Sequence, residues 1–116
     1  MASAAGLTPF RSIDLDETEE DVKTLPGKLY GWVIHNAHGS AKRYIKFYNA
    51  TAANVMVGTT TPVMTWPISS GETLNEMSAE GIDFDTAICV AATTGLADND
   101  TGAPGANEII CNLFYK

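Results

Sequence analysis

The sequence predicts an all-β protein: an antiparallel, jelly-roll-like β-sandwich preceded by an N-terminal arm. Two neighbouring segments, 28–36 and 42–49, are rich in aromatic and β-branched residues that alternate with a period of two. Further alternating segments follow at intervals of about 8–12 residues, with turn residues between them. A chain of 116 residues is long enough for one core, and about seven or eight strands can close it as a jelly roll.

The strands predicted at 28–36 and 42–49 are expected to pair with each other as a β-hairpin. Segment 28–36 places alternate side chains on opposite faces, and segment 42–49 does the same, with Ile45 and Phe47 pointing one way. The short link between them contains Gly39, and a glycine-containing link of this length is typical of hairpins. The hairpin is therefore expected to form part of one sheet.

The remaining strands are predicted from shorter alternating runs bounded by turn residues. These runs are 8–15, 21–24, 63–68, 72–78, 82–85, 86–94 and 107–115. The alternation within the four strongest strands also predicts a core. Its expected members are Trp32, Ile34, Ile45, Phe47, Ile88, Val90, Ile109 and Leu113.

The charge and composition exclude several classes of protein. The chain has 14 acidic and 7 basic residues, a formal net charge of -7, whereas a nucleic-acid surface needs clustered Lys and Arg. No apolar run approaches the roughly 18 residues that span a bilayer, and the N-terminus lacks the pattern of a signal peptide. We therefore expect neither a nucleic-acid partner nor a membrane partner; an acidic protein of this kind suits docking on a basic protein surface.

No combination of residues meets the requirements of a catalytic site, so the protein is predicted not to be an enzyme. No catalytic residue, metal ligand or cofactor is assigned. His35 and His38 lack further ligands at metal-binding spacing, and segment 98–102 has the Asp-x-Asp-x-Gly pattern of a calcium loop but also of an ordinary turn. Cys89 and Cys111 are interpreted as small buried side chains, with a disulfide between them as an open alternative.

The aromatic residues of segment 42–49 provide a candidate interface. Tyr44, Lys46 and Tyr48 alternate with the core pair Ile45 and Phe47, so they are expected on an outer face that contacts another subunit. The alternative is a platform that stacks on sugar rings. Its candidate residues are Tyr30, Trp32, Tyr44, Tyr48 and Trp66.

Residues 1–24 are predicted to form an arm that reaches away from a sandwich domain comprising residues 25–116. The stretch 14–21 holds the densest charge in the chain, beside several apolar residues. The candidate contacts of the arm are Phe10, Ile13, Leu15, Asp16, Glu17, Glu19 and Glu20. Apolar anchors with flanking carboxylates suit a segment that orders on a basic partner. The alternative is an ordinary first strand followed by a solvated acidic turn.

The order of several short motifs resembles a family of small β-sandwich proteins of tailed bacteriophages. The resemblance covers residues 25–116. Its markers are Gly27 with Tyr30, Lys46-Phe47-Tyr48-Asn49, Gly58 through Pro62, Thr94-Gly95 with Ala97-Asp98, and Asn112-Leu113-Phe114-Tyr115. The resemblance implies a structural virion component, namely a head decoration (cement) protein, and the family has no catalytic residues to carry over.

This resemblance sets the functional expectation. A decoration protein would bind the major capsid protein on the outer surface of the assembled shell, and it would occupy the host cytoplasm during assembly. Local threefold positions on a shell favour a homotrimer, because cyclic symmetry matches the site. The alternative function is a carbohydrate- or receptor-binding module of a phage tail or fibre, which an exposed aromatic platform would favour.

Overall fold

Eight β-strands form the regular structure of residues 6–116, the part of the chain that the computed structural model describes. They are β1 (Thr8–Ser12), β2 (Glu20–Lys23), β3 (Gly27–Asn36), β4 (Arg43–Tyr48), β5 (Met64–Ile68), β6 (Thr73–Phe84), β7 (Ile88–Thr93) and β8 (Ile109–Tyr115). A short 3-10 turn, Ala52–Asn54, lies between β4 and β5. Each strand coincides with a segment that alternation predicts, except that segments 72–78 and 82–85 form the single strand β6.

The strands pair antiparallel in two four-stranded sheets. Sheet 1 has the order β1-β8-β3-β6, and sheet 2 has the order β2-β7-β4-β5. The neighbours therefore include β1 with β8, β2 with β7, β3 with β6, and β4 with β5. This nested pairing of early with late strands is the topology of an eight-stranded jelly roll. It confirms the predicted all-β sandwich and its jelly-roll character.

The predicted hairpin between β3 and β4 is wrong. β3 lies in sheet 1 between β8 and β6, whereas β4 lies in sheet 2 between β7 and β5. The link 37–42 therefore crosses from one sheet to the other. The buried Asn36 holds this crossing, because its Nδ2 donates to the carbonyl oxygens of Ala41 (2.9 Å) and Ile68 (3.0 Å). Alternation identified both strands, but it carries no information on which strand each one pairs with.

The space between the sheets holds the core, and all eight residues predicted for it are there. Seven of them have no exposed surface and Trp32 is 3% exposed. The Trp32 ring packs against Phe47 at a centroid distance of 5.9 Å and against Trp66 at 5.3 Å. The tilted arrangement of these rings is one of the favourable geometries for aromatic pairs. The core thus joins a central strand of sheet 1 to two strands of sheet 2.

The predicted arm is also wrong for the residues that the structure describes. β1 pairs with β8 along its whole length, from Thr8 opposite Tyr115 to Ser12 opposite Cys111, and β2 pairs with β7. Both strands are edges of the sandwich, so the domain does not begin at residue 25. The alternative, a first strand followed by an acidic turn, is the correct one. Residues 1–5 of the predicted arm lie outside the described part.

Two loops cover the outer face of sheet 2. Loop 49–63 joins β4 to β5, and loop 94–108 joins β7 to β8. A second apolar cluster lies between this face and the first loop. Its buried members are Tyr48, Val55, Cys89 and Ala91. The loops meet where Gly58, at φ 92°, lies against the side chain of Thr101, in a conformation and a space that favour glycine.

Candidate interaction surfaces

An acidic rim follows the edge of the sandwich from the end of β1 to β2. We define it by its six carboxylates. They are Asp14, Asp16, Glu17, Glu19, Glu20 and Asp21. Leu15 points from the middle of this stretch into the core, where it has no exposed surface, and its N–H donates to the carbonyl of Ile109 at 3.2 Å. The carbonyl of Asp16 accepts from the N–H of Ala92 at 2.7 Å. The rim is therefore fastened to both sheets.

Hydrogen bonds fix most of the rim carboxylates. The four bonds are Asn107 N to Asp14 (2.7 Å), Thr18 N to Asp16 (2.9 Å), Ser12 Oγ to Glu20 (3.1 Å) and Ala52 N to Asp21 (2.7 Å). Glu17 and Glu19 accept no hydrogen bond from residues 6–116. They are therefore the rim carboxylates that a basic partner can engage without breaking an internal contact.

The three apolar residues predicted as anchors beside this rim differ in their burial. Phe10 lies in β1 and packs against the core, half-buried, and Leu15 is part of the core itself. Ile13 is 47% exposed. The prediction of an interface role is therefore wrong for Leu15, because a fully buried side chain cannot contact a partner. Of the three, Ile13 alone offers a large accessible apolar surface.

The predicted interface row of β4 is wrong for two of its three members. Lys46 and Tyr48 do point to the outer face of sheet 2, but neither has any exposed surface, because loops 49–63 and 94–108 cover them. Tyr44 is half-buried. Lys46 and Tyr48 are therefore packed beneath the loops, and of the row only Tyr44 keeps accessible surface.

Lys46 anchors the second covering loop. Its Nζ donates to the carbonyl of Ala97 at 2.6 Å. Burial lowers the pKa of Lys46, against the opposing effect of the Asp100 and Asp98 carboxylates. Asp100 in turn accepts from the backbone N–H groups of Gly95 (3.2 Å) and Gly102 (2.8 Å). In the segment with a calcium-loop pattern, Oδ1 of the central carboxylate therefore accepts two backbone N–H groups, as a side chain does in an ordinary turn.

Replacing Asp100 by alanine is expected to lower the free energy of unfolding by about 1–3 kcal/mol, because two partly buried N–H groups lose their acceptor. Urea unfolding followed by circular dichroism measures this change. Asp98→Ala is the matched control, since Asp98 is an exposed carboxylate in the same loop and is expected to change the value by less than about 0.5 kcal/mol. Equal losses in the two variants would contradict the anchoring role.

The aromatic platform considered for sugar binding does not form at Trp32 or Tyr48, which are buried. All ten aromatic side chains of the chain are buried or half-buried. Trp66 packs against Trp32, and its Nε1 donates to the sulfur of Met64 at 3.4 Å. The most promising stacking residues are thus engaged in internal contacts.

The polar chemistry of the described residues is sparse. Within residues 6–116 no three His, Cys, Asp or Glu side chains lie close enough together to hold a metal ion. Cys89 and Cys111 are free thiols, both buried, with Cys89 on the outer face of sheet 2 and Cys111 in the core. Burial raises the pKa of each thiol to about 12, and so they are unreactive. No helix in the described range is long and apolar enough to cross a membrane.

The comparisons with known proteins add no relative. The chain matches no protein-family model, no curated protein and no solved structure.

Proposed function

We propose that this protein is a structural component of a bacteriophage virion, a decoration protein that binds the outer surface of the head shell and reinforces it by contacts alone. Two considerations support the proposal. The jelly roll is an architecture that viral capsid proteins use, as do lectins and cupins. The motif order in residues 25–116 resembles small β-sandwich proteins of tailed phages.

The observation that carries the proposal is the fixed acidic rim. A decoration protein needs a surface that recognises the shell without a cofactor, and Lys or Arg side chains of the major capsid protein would complement the rim. Because hydrogen bonds already hold four of its carboxylates, binding requires less ordering than a mobile arm would. Complementary charge would also speed association and fix orientation.

In this proposal the partner is the major capsid protein, the site of action is the capsid surface, and the protein has neither catalytic activity nor a nucleic-acid or membrane partner. During assembly it would occupy the host cytoplasm. The homotrimer expected for local threefold positions remains a prediction, and the Tyr44, Lys46 and Tyr48 row that motivated it is largely buried. Burial of the aromatic residues gives no support to a carbohydrate-binding role.

The test is rebinding of the purified protein to shells stripped of it, over a salt series from about 50 to 500 mM. Deleting residues 1–24 would remove two edge strands, so the rim is tested by substitution. Glu17→Gln with Glu19→Gln removes two charges that make no internal hydrogen bond in residues 6–116. We expect affinity to fall by roughly 2- to 30-fold, as for two exposed ion pairs, and the salt dependence to weaken.

The matched control is Glu76→Gln with Glu80→Gln, two exposed carboxylates on β6, at the edge of sheet 1 opposite β1. This variant is expected to bind like the wild type. Failure of the wild-type protein to rebind at any salt concentration would overturn the decoration proposal. Equal losses in the two double variants would instead show that the rim has no specific role and that only net charge matters.

A further inference from the structure

The link that crosses from sheet 1 to sheet 2 folds around the half-buried side chain of His38. The imidazole Nδ1 accepts two hydrogen bonds, from the backbone N–H of Ser40 at 3.0 Å and from that of Ala41 at 2.9 Å. The backbone of His38 is held as well. Its N–H donates to Oδ1 of Asn36 at 3.0 Å, and its carbonyl accepts from Oγ of Ser70 at 2.6 Å. His38 therefore fastens the link to the end of β3 and to the turn between β5 and β6.

The two hydrogen bonds to Nδ1 fix the protonation state of the ring. A backbone N–H can only donate, so Nδ1 must carry a lone pair, and the proton of the neutral ring lies on Nε2. An imidazolium carries a proton on both nitrogens and accepts no hydrogen bond. Protonation of His38 therefore breaks both bonds and leaves the N–H groups of Ser40 and Ala41 without their acceptor.

His35, the other histidine of the chain, has a partner that tolerates both charge states. Its Nδ1 lies 2.9 Å from Oγ1 of Thr73. A hydroxyl group can donate or accept, so the Thr73 hydroxyl can rotate and keep the bond when the ring gains a proton. Of the two histidines, only His38 has a contact that requires the neutral ring.

Four elements meet around the link, and each carries charged or titratable side chains. The end of β3 carries His35, the start of β4 and the residue before it carry Arg43 and Lys42, the turn between β5 and β6 carries Glu72, and loop 94–108 ends with Glu108. Both carboxylates already accept hydrogen bonds. Glu72 accepts from the N–H of Ser69 at 3.1 Å, and Glu108 accepts from Nε of Arg43 at 2.9 Å.

The pairing of Glu108 with Arg43 limits what Glu108 can offer to a charged His38. Burial acts to raise the pKa of Glu108, but the hydrogen bond and the charge of Arg43 hold it below its usual range, so Glu108 stays largely ionised down to pH 5 or thereabouts. The same Arg43 partly neutralises its attraction for an imidazolium, and Lys42 adds positive charge nearby. The surroundings therefore do not replace the two hydrogen bonds that protonation of His38 removes.

We propose that His38 is a pH-sensitive latch on the crossing between the two sheets. With a neutral ring the latch is closed, and residues 38–41 are held in their turn. The open link can bind a proton on the ring without losing a hydrogen bond, so the equilibrium constant for opening rises as the pH falls. The latch is therefore closed above the ordinary titration range of histidine, near pH 6.5, and opens as the pH falls through that range.

Amide hydrogen exchange at Ser40 and Ala41, followed by NMR and corrected for the intrinsic rate at each pH, measures the opening. If only the open link takes up the proton, and does so near pH 6.5, the equilibrium constant for opening rises by about 30-fold between about pH 7.5 and pH 5. We expect the protection of both amides to fall by roughly 10- to 30-fold over this range. A fall of less than about threefold would overturn the latch.

His38→Asn is the decisive variant. An asparagine side-chain oxygen can accept from backbone N–H groups two or three residues ahead, as in an Asx turn, and it does not titrate. The variant should therefore lose the pH dependence. Protection that is lower but constant with pH would support the latch too, because the pH response then follows the ring.

His35→Asn is the matched control, because it removes the other histidine and should keep the pH dependence of the wild type. Circular dichroism at both ends of the pH range establishes that each variant is folded. A pH response that persists in His38→Asn, or one that disappears in His35→Asn, would overturn the assignment of the latch to His38.

Discussion

Replacing Phe47 by alanine is expected to lower the free energy of unfolding by about 3–5 kcal/mol. Phe47 has no exposed surface, and its ring packs against Trp32 across the two sheets. Removing the ring loses its transfer free energy and leaves a cavity between rigid sheets that cannot close fully. Since a domain of this size is stable by about 5–15 kcal/mol, one substitution would remove a large share of the total.

Urea unfolding measures this loss, and tryptophan fluorescence is a suitable probe because Trp32 lies beside the substituted ring. The matched control is Leu25→Ala. Leu25 is 65% exposed in the turn between β2 and β3, so its truncation is expected to change stability by less than about 0.5 kcal/mol. A loss below about 1 kcal/mol for Phe47→Ala would contradict the core position of Phe47, since buried Phe-to-Ala changes are much larger.

The strands and the core could be predicted from sequence because both depend on local alternation. Side chains on successive strand residues point to opposite faces, so a strand with one buried face has apolar residues at every second position. β6 shows where prediction from alternation fails. Glu80 and Gly81 interrupt its alternation, so the sequence predicts two separate segments, 72–78 and 82–85. In the structure Gly81 takes a φ of 78° beside a register shift opposite Leu29 and Gly31, and pairing continues through the irregularity.

Strand partners could not be predicted in the same way. In a jelly roll the partners come from distant parts of the chain, as with Thr8 and Tyr115. Short links therefore need not be hairpins, and the link 37–42 crosses between sheets. The acidic stretch 14–21 led to a wrong prediction as well. Its charge indicated a free arm, whereas the buried side chain of Leu15 fastens the stretch to the core.

The candidate surfaces were less predictable than the fold. Alternation correctly placed Lys46 and Tyr48 on the outer face of β4, but it cannot say what covers that face. The covering loops lack periodicity, and a lysine is ordinarily solvent-exposed. The outer face of sheet 1 could not be described from the sequence either, because it is assembled from four separate strands. Only the register brings Pro9, Gly31 and Met77 beside Phe114.

Alkaline pH is expected to unfold this protein through its buried acids. Burial raises the pKa of Cys89, Cys111 and Tyr48 to about 12 in each case. In the unfolded chain a thiol titrates near 8.5 and a phenol near 10, roughly. Above those pH values the folded protein binds more protons than the unfolded chain. The free energy of unfolding therefore has its full value below about pH 8 and falls as the pH rises toward 12.

The size of this decline is several kcal/mol, because each unit of pKa difference corresponds to about 1.4 kcal/mol and three groups contribute. Lys46 acts in the opposite sense. Because the pKa of Lys46 is lowered in the folded protein, the unfolded chain keeps the ammonium proton to a higher pH than the folded protein does. The contribution of Lys46 to the free energy of unfolding therefore rises with pH and offsets part of the loss. Three buried acids act against one buried base, so we expect a net loss of stability as the pH rises from about 8 toward 12.

Urea midpoints measured at about pH 7, 9, 10 and 11 would follow this decline. Cys89→Ala with Cys111→Ala is the informative variant. It starts from a lower stability at neutral pH because two buried side chains are shortened, but it lacks both titrating thiols. Its stability should therefore fall less steeply between about pH 8 and 9, where Tyr48 keeps nearly all of its proton in both the folded and the unfolded chain. A wild-type midpoint that stays constant up to pH 11, or a variant that loses stability as steeply as the wild type up to about pH 9, would contradict the role of the thiols.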